Sequence, residues 1–135
     1  MSKRMTKAEF DEMSTLGAFN PVGHAILAME NDAAAAEARQ ALLDAGFEDA
    51  DILVSTSAEM FPNLDEMMRN ASGAAGFGYE IVLMRRYMTL ASEGAGWLVV
   101  YGPEDSKTAQ IGEIAKRLGA RTAVLYGRFL HQDLI

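Results

Sequence analysis

GHAILAMENDAAAAEARQALLDAGFEDADILVST, residues 23–56, reads as strand, helix, strand. Residues 25–29 are apolar throughout, Asn31 and Asp32 supply a helix start, and Ala35, Ala38, Leu42 and Ala45 recur at helical spacing. Gly46 ends the helix, and residues 52–55 form the second strand. The same grammar returns in GWLVVYGPEDSKTAQIGEIAKRLGARTAVLYG, residues 96–127. There a strand at 97–101 leads to Glu104 and Asp105, and Ile111, Ile114, Ala115 and Leu118 line one helix face. Lys116 and Arg117 meet the negative end of the helix dipole, Gly119 is the stop, and 122–126 is the last strand.

None of these strands alternates apolar with polar residues, which is the mark of a sheet buried on both faces. Right-handed crossovers place both helices on one face, so the other needs a cover. Two sources are open: the sequence between the copies, or a second subunit. That intervening sequence reads as two helices. Pro62 and Asn63 start one that runs through Leu64, Asp65 and Glu66 to about Ala71; Gly73, Gly76 and Gly78 interrupt. From Tyr79 to about Ser92, the residues Ile81, Leu83, Met84, Tyr87, Met88 and Leu90 leave little polar circumference, which predicts a buried helix.

The chain of 135 residues predicts one domain at residues 23–135, with the insertion at 58–95. Residues 1–22 read as an N-terminal arm. Within it Thr6 and Glu9 have capping-box spacing for a short helix that places Phe10 and Met13 on one side. There is no cysteine, hence no disulfide and no thiolate chemistry, and no apolar run of spanning length. A cytoplasmic protein is expected. A net charge of -7 opposes nucleic-acid and anionic-membrane binding, because both depend on clustered Lys and Arg.

The doubled strand-helix-strand with a helical insert is a ferredoxin-like α+β arrangement: a four-stranded antiparallel sheet of order 4-1-3-2. Trp97-Leu-Val-Val-Tyr101, the helix with Ile111 and Ile114, Gly119-Ala120 and Ala123-Val-Leu-Tyr-Gly127 resemble the small bacterial heat-induced general stress protein family. The resemblance covers residues 23–134. It implies a part in stress responses and brings no catalytic residues to carry over.

Chemistry-bearing constellations are few. His24 and His131, the two histidines, come near one another if the last strand lies antiparallel to the first, and Asp133 follows. Two imidazoles and a carboxylate make a candidate metal site, against the plainer reading of solvated strand ends. Gly73-Ala-Ala-Gly-Phe-Gly78 lacks the order of a dinucleotide loop and the Lys-Ser/Thr of a phosphate loop, so a turn between helices is favoured. Met60, Met67, Met68, Met84 and Met88 read as adaptable core and contact surface rather than as a copper site. Ser55, Ser57 and Ser72 have no histidine motif beside them to make a nucleophile. Trp97 and Tyr101 share a strand face, but the acidic charge argues against RNA.

The favoured function is a non-enzymatic, stress-associated or regulatory module that acts through self-association, as a dimer, or through a protein partner. Trp97, Val99, Tyr101, Met84 and Met88 are its expected contact surface. The alternative is a small-molecule-binding domain or enzyme with a pocket between sheet and insertion, where Tyr79, Arg85, Arg86 and Tyr101 orient an anionic or polar ligand. No cofactor is expected.

Overall fold

The computed structural model describes residues 4–16, 21–71, 78–127 and 131–135. In chain order they form α1 (Lys7–Leu16), β1 (His24–Met29), α2 (Asp32–Asp44), a 3-10 turn (Asp49–Asp51), β2 (Ile52–Ser55) and α3 (Ser57–Ala71). There follow α4 (Gly78–Ser92), β3 (Gly96–Tyr101), α5 (Asp105–Arg117), β4 (Thr122–Tyr126) and β5 (His131–Asp133). The architecture is α+β, with one antiparallel sheet in the order β2-β3-β1-β4-β5. Four strands were expected and take the expected neighbours; β5 is an addition, pairing its three residues with Val124, Leu125 and Tyr126. It escaped notice because an edge strand of His, Gln and Asp carries no apolar signal.

Local chemistry explains the boundaries. The Asn31 side chain accepts the Ala34 N–H at 2.8 Å and caps α2. Three helices end by one device: Gly46, Gly94 and Gly119 have positive φ, and the next residue's N–H returns to the carbonyl of Leu42, Leu90 or Ala115. At α3 the expected start, Pro62-Asn63, is wrong. The helix begins at Ser57 behind a Thr56–Glu59 capping box, in which Glu59 Oε1 accepts the Thr56 N–H and Thr56 Oγ1 accepts the Glu59 N–H. Pro62 sits inside the helix at modest cost, because Ala58, Phe61 and Pro62 face solvent and water can serve the carbonyl that lost its donor.

Both sheet faces are buried. On one, α2 and α5 cover Leu27, Met29, Leu98, Val100 and Ala123 with small and branched side chains. On the other, Met60, Leu64, Leu83, Met84, Tyr87 and Leu90 of the insertion cover Ile26, Trp97, Val99 and Val124. The cover for the second face is therefore the chain's own insertion. Tyr87 anchors it, edge-on to Trp97 with ring centroids 5.2 Å apart and sharing a 3.0 Å hydroxyl hydrogen bond with Tyr126. The short helix of the N-terminal arm, α1, packs into the same layer: Phe10 is 1% exposed inside that cluster. Burying one such ring is worth about 1.5–3 kcal/mol, enough to hold a short helix. The Met13 side chain lies outside the described residues, as do residues 17–20 and the glycine segment 72–77.

The first face is built on a close approach. A methyl group on Gly96 would stand 2.6 Å from the Asn31 carbonyl oxygen and 2.8 Å from the Asp32 Cα, backbone atoms that cannot swing aside. Gly96→Ala is expected to push the start of α2 off the sheet and lower stability by roughly 1–3 kcal/mol. Urea unfolding followed by circular dichroism measures it.

Candidate functional site

Residues of α4, β4 and β5 line a cleft of about 240 Å³. Its apolar floor comes from Leu83 and Val124, and Val82 and Ile135 stand at its sides, 63% and 44% exposed. Val82 is exposed because it falls on the opposite side of α4 from the buried Leu83, Met84 and Tyr87. Arg86, one turn further along, lines the cleft, and Arg121 enters it from the residue before β4. Asp133 of β5 is on the wall as well.

The cations are held differently. Arg86 Nη2 donates to the Arg121 carbonyl at 3.1 Å, and among the described residues Arg86 has no carboxylate partner. Arg121 donates to Glu93 Oε1 at 2.8 Å, while its backbone N–H bonds to the Ala28 carbonyl at 2.7 Å and fixes where the side chain begins. A carbonyl satisfies one N–H of a guanidinium and leaves its charge uncompensated, so Arg86 keeps donors for an oxyanion.

Of the residues expected to orient a ligand whose side chains are described, Arg86 alone lines this cleft. Arg85 is exposed elsewhere on α4, and its carbonyl accepts the Thr89 hydroxyl. The Tyr79 side chain lies outside the described residues. Tyr101 is at the far end of the sheet, opposite His24, whereas Thr122 beside the cleft pairs with Ala28 four residues up the same strand. Arg121, Val82 and Ile135 were missed. Arg121 follows Lys116 and Arg117 by only the turn after α5, and nothing in the local sequence sets it apart from those surface charges.

The expected contact surface is also placed differently. Trp97 and Val99 are 0% exposed and Met84 is 7% exposed, all packed within the chain beneath α3 and α4. Met88 is partly buried against the same cluster, and Tyr101 is half-buried beside His24 with ring centroids 4.9 Å apart. Trp97, Val99 and Met84, buried within the chain, cannot also form a subunit face, whereas Met88 and Tyr101 keep part of their surface.

The metal trio does not assemble. His24 and His131 lie on β1 and β5 with β4 between them, which is about 10 Å at normal strand spacing. His131 packs on Tyr126 at 4.4 Å, and Asp133 is opposite Val124. Among the described residues no group of three His, Asp or Glu side chains is placed to hold a metal.

His24 has another occupation. It is 1% exposed, its Nε2 accepts the Met5 N–H at 3.1 Å, and its Nδ1 lies 3.0 Å from the Val22 carbonyl. An N–H donor on one side and a carbonyl on the other specify the neutral ring with its proton on Nδ1. The ring thus clasps the chain just ahead of α1. Arg4 adds ion pairs to Asp51 at 3.0 Å and Glu48 at 3.4 Å, both weakened by solvent screening because the Arg4 side chain is itself exposed.

Burial pushes the His24 pKa below its ordinary 6.5, opposed by hydrogen bonds to the Val22 and Pro21 carbonyls and by the Asp51 and Glu9 carboxylates. The unfolded or undocked chain therefore takes up the proton first. The clasp contributes fully above pH 6.5 and is lost as pH falls through the lowered value. Amide hydrogen exchange across residues 5–16, corrected for intrinsic rates, is expected to accelerate between pH 7.5 and about 5. His24→Gln, whose amide keeps one acceptor and one donor but no titration, is expected to flatten that response.

No family model, no curated protein and no solved structure matches this chain.

Proposed function

We propose that this chain is a non-enzymatic binding module, built on a ferredoxin-like core, that holds a small amphipathic carboxylate in the cleft between its helical insertion and its sheet. The observation that carries this reading is Arg86. Its guanidinium borders an apolar floor, is held in place by a carbonyl and has no carboxylate partner among the described residues. A carboxylate placed there gains a charge-assisted pair with Arg86 and lies within the field of Arg121, while its apolar part covers Val124, Val82 and Ile135. Asp133 on the same wall opposes a second negative charge and favours a ligand whose other end donates. The chain's net charge of -7 repels anions at long range, so the affinity is modest and the specificity local.

A second reading keeps the same surface. Val82 at 63% exposure beside the two arginines also suits an acidic, apolar segment of a protein partner, as a stress-associated or regulatory cytoplasmic module would use. Self-association through Trp97, Val99 and Met84 is opposed by their burial in the core, so a dimer would use this exposed surface instead.

Titration calorimetry with hexanoate, 6-aminohexanoate and adipate separates these ideas. The expected order of affinity is 6-aminohexanoate, then hexanoate, then adipate, with Arg86→Ala weakening the first two by roughly tenfold, as losing a charge-assisted hydrogen bond does. Absence of heat with all three, together with a solution mass above that of the monomer, would favour the partner reading.

A further inference from the structure

The layer under the insertion holds two buried polar atoms without a partner among the described residues. Ser55 Oγ and Trp97 Nε1 accept or donate no hydrogen bond there, although Ser55 is 2% and Trp97 0% exposed. They are neighbours. Ser55 ends β2 directly opposite Trp97 on β3, and antiparallel partners project to the same face, here the one roofed by α3 and α4. Elsewhere in that layer the chain satisfies its polar groups, as the Tyr87–Tyr126 hydroxyl pair shows. Each buried donor without a partner is costly, and two side by side in an otherwise apolar layer point to one common acceptor.

The donor chemistry narrows what that acceptor is. An indole N–H only donates, so a cation is excluded; a hydroxyl donates or accepts. Met60 and Leu64 of α3 and Leu90 of α4 belong to the same cluster, and an isolated anion there would lose its hydration without a counter-charge. A neutral oxygen remains. We propose that Ser55 and Trp97 form an internal site for one neutral oxygen acceptor, either a water molecule or the carbonyl oxygen of a small apolar guest. The two sources share the same chemistry, and the site uses none of the charges of the surface cleft. It does share a floor with the cleft, because Ser55, Trp97, Ala28 and Thr122 form one continuous cross-strand row.

Trp97 is the only tryptophan of the chain, so its indole N–H gives a single unambiguous signal in a nitrogen-15 spectrum. A rotating-frame cross-peak from that proton to a long-lived water supports the site with water as its occupant. A stoichiometric mass increment in native mass spectrometry of the purified chain, released on denaturation and identified as a carbonyl compound, supports it with a guest. Neither signal, with the indole proton at the shift of an unbonded N–H, overturns the proposal. Stability gives an independent sign test. With an oxygen bridging the pair, Ser55→Ala lowers the folding equilibrium constant on the order of fivefold and moves the indole signal; with the hydroxyl simply unpaired, the same change raises it. Arg86→Ala is expected to leave the indole signal in place, which separates this site from the cleft.

Discussion

A central ladder that is apolar on both faces governs this molecule. β1 is fully buried from His24 to Met29, and β3 from Gly96 to Val100, so both faces of the sheet have to be covered. Two strand-helix-strand units cover one face only, since their crossovers share a hand. α3 and α4 answer that deficit, and so does α1, whose Phe10 joins the same buried cluster. The two layers differ in character. Small and branched side chains let α2 sit tightly on β3 over Gly96, whereas the insertion packs with methionine and aromatic rings that bridge larger, less regular gaps.

The places that look functional are the margins of that second cover. Between α4 and β4 the cleft opens, lined by Arg86 and Arg121. Where β2 ends, a hydroxyl and an indole N–H have no partner among the described residues. At the opposite end of the sheet, the row Tyr101, His24, Tyr126 and His131 closes the layer, and its histidine serves to fasten α1. An imported cover does not match the sheet as closely as the crossover helices do, and the mismatches are where polar chemistry collects.

Much of the architecture was legible from local rules. Asn31 as a cap, Gly46 and Gly119 as stops, and the absence of polar alternation in the strands all operate within a few residues, and all hold. The misreadings arose where a local signal met a tertiary one. Pro62 has the look of a helix start, but an exposed turn removes the penalty that makes it one. Choosing Arg86 over Arg85 requires knowing which side of α4 faces β4, a turn of 100° per residue that no composition reveals. Trp97 and Val99 read as a contact surface because their neighbours are apolar, and apolar neighbours describe a core equally well. His24 and His131 were drawn together by antiparallel pairing, which brings strands side by side only when no strand intervenes; β4 does.

The position of the insertion also bears on how the chain reaches this state. The strands of the central ladder, residues 24–29 and 96–101, are joined by a connection that contains α2, β2, α3 and α4. Closing so long a connection costs chain entropy before any ladder bond repays it. Packing α3 against α4 involves near neighbours in sequence, shortens that connection and presents an apolar surface on which β1 and β3 can meet. The helical pair would then act as a template early in folding, and variants that loosen it would slow the pairing of strands they do not touch.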